Sequence, residues 1–298
     1  MSGLRVLAHA KVNLSLEVLG KRPDGFHEVR SVMQSIGLAD ELTFDRASKL
    51  TLECNVRRLA GEENLVMRAA RLLQKVAGCR CGARISLRKS IPEAAGLGGA
   101  SSDAAASLVG LSCLWGLGTP EAELERLAAD LGSDVPFFLK GGTALVKGRG
   151  EVVLPLPDAA PRWLVLVAPM HSLARKTATL YGLLSSESWS SGERTARLVD
   201  AITKGCPVDE GLLGNIFESV AGDLFPDLAC CRAAMLDAGA PAVHLSGAGP
   251  ALFSLFPSED SARAVAGRLT RQGLRPWVVR TLAAREARPC PVVTRLQP

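Results

Sequence analysis

PEAAGLGGASSDAAA, residues 92–106, decides how the rest of the chain is read. Three glycines, Gly96, Gly98 and Gly99, fall within four positions, and two serines, an aspartate and an alanine run follow. Glycine admits positive φ and lets a ligand approach the backbone with no Cβ in the way. Ser101, Ser102 and Asp103 are N-cap residue types. From Ala104 the apolar residues recur at helical spacing through Leu108, Leu111 and Trp115. The stretch reads as a glycine loop opening onto a buried helix. Free N–H groups and the positive dipole end of such a helix suit an anion such as phosphate. Taken alone, the same residues also read as a glycine-rich turn ahead of a core helix.

Working outward, residues 83–89 form a strand that feeds the loop, and Thr119-Pro120 opens a helix that stops at Gly132. Ser133-Asp134-Val135-Pro136 comes next, with Asp134 readable as a cap, a turn residue or a desolvated acid. Residues 4–19 alternate strictly, which predicts a strand with one buried face. His9, Lys11, Asn13, Ser15 and Glu17 share its polar side, solvated or functional. Strands are expected at 29–36, 41–45 and 50–56, and a helix capped by Asn64 ends at Gly78. Later come a buried strand at 163–168, a helix within 172–184 and a Ser-rich loop at 185–193. Helices follow near 195–203, 211–221 and 225–238. A second glycine turn, Ser246–Gly249, joins two strands as a hairpin or a ligand loop. Ser258 caps a last helix, Trp277–Leu282 is a last strand, and the tail beyond Glu286 is expected to be irregular. Leu154 through Pro161 is the best linker, so the division is 1–154 and 155–298.

Three stretches, AKVNLSL (10–16), PEAAGLGGASSDAAA (92–106) and HLSGAGPALF (244–253), stand in the order of the three motifs of the GHMP kinases, which the chain resembles. RPDGFHEV (22–29), ADELTF (39–44), ENLVMRAARLL (63–73) and GSDVPFFLKGGTALVKGRGE (132–151) narrow the resemblance to one branch of that family. It spans about residues 5–283. It implies an α+β, two-domain GHMP kinase fold, with an N-terminal ribosomal-protein-S5-like domain, a C-terminal α/β sandwich domain and the site between them. The implied reaction moves the γ-phosphate of ATP, with Mg²⁺, to the 2-hydroxyl of a methylerythritol carried on cytidine diphosphate. The Walker A pattern GxxxxGK[ST] is absent.

By resemblance, Lys11 and Asp134 are the catalytic pair. Pro92, Glu93, Ala94, Ala95, Gly96, Leu97, Gly98, Gly99, Ala100, Ser101 and Ser102 bind ATP, with Asn64 and Lys89 near its adenosine end. Asn13 and His27 match contacts to the cytosine. Phe26 stands where the family usually has Tyr, and Tyr181 matches a second aromatic over the base. Thr177 and Gly247 complete the substrate side. Asn215-Ile216-Phe217-Glu218 departs from the family's Asn-Asp-Phe/Leu-Glu, which puts the role of that acidic position in question. No residue is assigned as a metal ligand, although Ser102 and Asp103 are candidates to touch Mg²⁺.

Composition agrees with a small anionic substrate. Charged residues are 22% and the net charge is only +5, and 4% aromatics leave little stacking surface for single-stranded nucleic acid. No apolar run of membrane-spanning length is present, and Lys11 interrupts the apolar N-terminus, so neither a span nor a signal peptide is expected. Eight cysteines, including a CxC at Cys79 and Cys81, fit reduced thiols in a cytoplasmic protein rather than a disulfide framework. A monomer or weak homodimer is expected. Another GHMP-type kinase, for homoserine or mevalonate, and an inactive ATP-binding regulator are the competing readings.

Overall fold

A computed structural model describes residues 2–169 and 176–295. The first half of the chain runs β1 (Ser2–Lys21), β2 (His27–Ala47), β3 (Leu50–Cys54), α1 (Leu65–Ala77), β4 (Gly82–Arg88), α2 (Gly99–Trp115), α3 (Glu121–Leu131), α4 (Val135–Lys140), β5 (Thr143–Gly148) and β6 (Val152–Pro155). The second runs β7 (Trp163–Val167), α5 (Lys176–Leu183), α6 (Glu193–Thr203), β8 (Gly214–Asn215), α7 (Ala221–Leu224), α8 (Leu228–Asp237), β9 (His244–Leu245), β10 (Leu252–Phe256), α9 (Glu259–Arg271), β11 (Trp277–Arg280), α10 (Ala284–Ala287) and β12 (Val292–Arg295). The part of the expected helix at 172–175 lies outside the described residues.

Two sheets result. The larger follows the order β12-β1-β2-β4-β3, with β5 on the other stretch of β2, β6 on β5, and β8 parallel to β1. The smaller is β11-β7-β10-β9, antiparallel throughout. Helices α1 to α4 pack with the large sheet around Phe44, Leu108, Leu111 and Phe137. Helix α2 is buried around most of its circumference, as its run of alanines and leucines dictates.

Strand β1 organises all of this. Leu4, Val6 and Ala8 belong to the first-half core. Ala10, Val12 and Leu14 pack in a core shared with the smaller sheet, and Leu16 and Val18 in the core of the second half. The alternation therefore predicts the strand correctly but not its surroundings. Lys11, Asn13, Ser15 and Glu17 are also buried, because later elements cover the polar face. Glu17 accepts from the Thr195 N–H of α6 at 2.7 Å, and Ser15 Oγ accepts from Thr195 Oγ1 at 2.9 Å.

Other departures have local causes. The strands expected at 29–36 and 41–45 are one continuous β2, paired along its length to β1 and shared between β4 and β5. The helix expected at 211–221 is instead short 3₁₀ turns around β8, whose two residues pair with Ser15 and Leu16. The tail is irregular only in part: residues 288–291 are without regular structure, but Val292–Arg295 pairs antiparallel with Ser2–Arg5, where the sheet edge offers free backbone groups.

Candidate active site

The glycine loop has the backbone its composition demands. Ala94 has φ +50°, Gly96 +85° and Gly98 +73°. A Cβ on Gly96 would sit 2.1 Å from the Ser246 carbonyl oxygen, and one on Gly98 would sit 2.4 Å from the Phe138 ring. Only glycine fits either place. Helix α2 starts at Gly99 with Gly98 as its N-cap, so the cap is not Ser101, Ser102 or Asp103. Those three lie inside the first turns. Ser102 Oγ donates to the His9 carbonyl at 2.7 Å, tying the helix start to β1. Ser102 N–H bonds back to Gly98, while the N–H groups of Gly99, Ala100 and Ser101 lie ahead of any intrahelical acceptor.

Beneath the loop lies an ionic cluster. Lys89 Nζ donates to Asp40 and, at 2.7 Å, to Asp103, with Asp40 and Asp103 both buried. Asp40 also accepts the N–H groups of Ser90 at 2.5 Å and Ile91 at 2.8 Å. Burial pushes the Asp103 carboxyl up to about 7, against the pull of Lys89. Lys89 therefore anchors the loop's base. Asn64 caps α1, accepting from Val66 N–H at 2.9 Å and donating to the Leu59 carbonyl at 2.7 Å.

Lys11 is buried at the loop's mouth. Its Nζ donates to the Gly96 carbonyl at 2.8 Å and to Asn13 Oδ1 at 2.5 Å. Asn13 Nδ2 in turn donates to Ser31 Oγ at 2.7 Å. Burial pulls the Lys11 ammonium below its ordinary pKa, and the charge of Asp134 pulls it back up. Asp134 stands at the N-cap of α4, yet its side chain makes no cap hydrogen bond. Its carboxylate lines the cavity instead.

The tip of the β9–β10 hairpin closes the far side, so the second glycine turn is both a hairpin and a cavity wall. Ser246 Oγ donates to the Gly96 carbonyl at 3.0 Å, and Ala251 N–H to the Ala95 carbonyl at 2.9 Å. Asn215 holds the tip by donating to the carbonyls of Leu245 at 2.9 Å and Gly247 at 2.7 Å. Glu218, beside the departing Ile216, accepts from Leu245 N–H at 2.9 Å and so also serves this hairpin.

The result is one cavity of about 640 Å³. It gathers Lys11, Asn13, Asn64, Lys89, Asp134, Thr177, Tyr181 and Gly247, and the loop residues Pro92, Glu93, Ala94, Ala95, Gly96, Gly98, Gly99, Ala100 and Ser101. Leu97 and Ser102 are buried behind it. Phe26 and His27 are not in the lining. His27 stacks on Tyr181 with ring centres 4.7 Å apart, and Phe26 is 48% exposed at the rim with Arg149 above its ring at 5.1 Å. Sequence reasoning quoted Asp40 and Asn215 within motifs but gave them no role, and it passed over Ser31 and Lys176. Lys176 left no local signal, since Arg-Lys-Thr in the helix expected at 172–184 reads as solvated.

Among the described residues, no three His, Cys, Asp or Glu side chains gather as a metal cage. Asp134, Asp103, Glu63 and Glu93 line the cavity with oxygen ligands only. That donor set fits a hard cation held chiefly by phosphate oxygens and water.

Residues 64–142 match the family model described as GHMP kinases N terminal domain, and residues 196–274 that described as GHMP kinases C terminal. The chain belongs to the GHMP kinase family. This GHMP kinase is therefore a small-molecule kinase of the two-domain α+β type. It is 44% identical over 280 residues to the 4-diphosphocytidyl-2-C-methyl-D-erythritol kinase of Dehalococcoides mccartyi, covering 94% of this chain and 98% of that one. It is 45% identical over 286 residues to the protein of the same name from Pelotomaculum thermopropionicum, covering 95% and 99%. A crystal structure of 4-(cytidine 5'-diphospho)-2C-methyl-D-erythritol kinase superposes with TM-score 0.77 at 37% identity, over 93% of this GHMP kinase and 98% of that chain. A homoserine kinase from Cytophaga hutchinsonii shares the fold, with TM-score 0.73 at 19% identity and coverage of 98% and 97%.

Proposed function

We propose that this chain transfers the γ-phosphoryl group of ATP to the 2-hydroxyl of 4-diphosphocytidyl-2-C-methyl-D-erythritol, a step of the non-mevalonate route to isoprenoid precursors. One observation carries the mechanism. The Asp134 carboxylate, unengaged by its own helix, faces the same cavity as the α2 N-terminus and the Lys11 ammonium. The near full-length identity to relatives of that name supports the choice of acceptor.

In this reading the triphosphate lies along Pro92–Ser102, its oxygens taken by the first N–H groups of α2. The acceptor hydroxyl attacks the γ-phosphorus, the bond to the ADP oxygen breaks, and the hydroxyl proton passes to Asp134. Lys11 holds the Gly96 carbonyl and favours the negative charge spreading over the transferring group. Mg²⁺, when bound with ATP, neutralises the phosphates; Asp103, Glu93 and Asp134 are the nearby carboxylates able to hold it. Asn13, with one amide hydrogen left after Ser31, and His27 read the cytosine. A base seated against Phe26 buries its exposed ring. Asn64 and Lys89 lie near the adenosine end, and Thr177 and Gly247 on the acceptor side. One chain supplies the whole cavity, which supports function as a monomer or weak homodimer. Use of ATP and eight free thiols support a cytoplasmic setting. We retain 1–154 and 155–298 as the two working domains.

The test is ADP release from Mg-ATP with each candidate alcohol in turn. Turnover is expected with the cytidyl substrate. Turnover with homoserine or mevalonate alone overturns the assignment.

A further inference from the structure

Lys176, the first residue of α5, is an ammonium that the mechanism above leaves unused. It lines the cavity and is only 9% exposed. Its Nζ donates to the Gly249 carbonyl and, at 3.5 Å, to that of Ala248. No carboxylate among the described residues lies within ion-pair distance of it. At the same hairpin tip, a Cβ on Gly247 would sit 2.9 Å from Lys11 Nζ. The two ammonium groups thus both meet residues 247–249. Burial, with the charge of Lys11 added to it, draws Lys176 down to about 8.

Of the other cavity cations, Arg149 lies over the Phe26 ring and the remaining two are matched by carboxylates. Lys89 has Asp40 and Asp103, and Arg58 has Glu93 at 2.8 Å. Of the lining carboxylates, Asp134 and Glu63 are paired with no cation among the described residues, and Asp134 is the one whose charge acts on Lys11. Two buried ammonium groups with one carboxylate leave a net positive pocket. A buried cation held only by backbone carbonyls carries a desolvation cost that an anionic ligand offsets.

We propose that Lys176 is a phosphate-binding residue, its ammonium pairing with phosphate oxygens of a bound substrate in the cavity it shares with Lys11. Resting on the kinase reading above, the oxygens come from one of two sources. One is the diphosphate of the cytidyl acceptor; the other is the γ-phosphate of ATP.

Two variants separate charge from structure. Lys176→Gln keeps a donor for the Ala248 and Gly249 carbonyls and removes the charge; Lys176→Arg keeps the charge. Calorimetry on the full chain measures CDP against cytidine, a non-hydrolysable ATP analogue against ADP, and pyrophosphate alone. Lys176→Gln should bind at least one phosphate-bearing probe about tenfold or more weakly, a loss typical of a charge-assisted hydrogen bond, and Lys176→Arg should restore most of it. Loss for CDP but not cytidine assigns the acceptor diphosphate. Loss for the ATP analogue but not ADP assigns the γ-phosphate. Unchanged affinity of Lys176→Gln for all phosphate probes overturns the proposal. Equal loss for cytidine and ADP also overturns it, because that pattern marks a displaced hairpin. If the acceptor assignment itself is wrong, wild-type protein fails to turn over the cytidyl substrate; the pyrophosphate and ATP-analogue arms still decide the role of Lys176.

Discussion

Asp134→Asn isolates the chemistry most cleanly. Asparagine matches the carboxylate in size but cannot take the hydroxyl proton. The structure says what else changes. Asp134 makes no cap hydrogen bond, so α4 loses no anchor, and stability should stay within about 0.5 kcal/mol of the parent. The substitution also removes the charge that raises Lys11, leaving that ammonium to burial alone. A positioned general base is worth about 10²–10⁴-fold in rate, or roughly 3–5 kcal/mol of barrier. The expected variant therefore melts like wild type, binds ATP with unchanged affinity in calorimetry, and releases ADP at least about a hundredfold more slowly. A kcat within threefold of wild type, in protein shown to be folded, refutes the role given to Asp134.

Further outcomes follow from other contacts. His27→Ala removes a ring stacked on Tyr181, and a pair of that kind is worth about 0.5–1.5 kcal/mol, so KM for the cytidyl substrate should rise about two- to tenfold with kcat little changed; an unmoved KM rejects the contact. Gly96→Ala places a methyl 2.1 Å from the Ser246 carbonyl oxygen at a φ of +85°, and left-handed strain alone is worth about 1–2 kcal/mol; a Tm drop of at least about 3 °C with weaker ATP binding is expected, and wild-type Tm contradicts it. Asp103 has a folded pKa near 7 against an ordinary 3.8, so the folded state holds its proton more tightly, and the stability this group contributes is lost as pH rises from about 4 through 7. Asp103→Asn should flatten that limb in urea titrations at several pH values. An unchanged slope tells against the buried, proton-holding carboxyl.

What the sequence discloses is largely local chemistry. The positive-φ positions at Gly96 and Gly98 are legible because only glycine tolerates them, and the helix beyond because its apolar spacing leaves little choice. Its start is misjudged by three to five residues, since Gly98 caps in place of Ser101, Ser102 or Asp103, and the Ser102 hydroxyl and Asp103 carboxyl turn to β1 and Lys89. Lys11 and Asp134 emerge from resemblance rather than pattern, for a strand's polar side and a turn aspartate are ordinary by themselves. What escapes notice is contact across distance. The carbonyls that hold Lys176 lie 72 and 73 residues away, and the partner of Lys89 at Asp40 is 49 residues away. No window of sequence shows such pairs. The tail fails for the same reason, because Val292–Arg295 is a strand only in the presence of Ser2–Arg5.

Strand β1 crosses all three cores as one strand, from Leu4 in the first to Val18 in the last, with Lys11 and Asn13 midway between register shifts at His9/Ala10 and Asn13/Ser15. It acts as a beam spanning both halves of the molecule. Pivoting one half against the other would require bending that beam beside the reacting groups and breaking its pairing with β2. Admission of nucleotide and acceptor thus falls to the rim, to the turn at Phe26 and the segments flanking Arg149 and Tyr181, while the distance between loop and hairpin tip stays locked. The catalytic geometry is then built before substrate arrives, not assembled by its arrival.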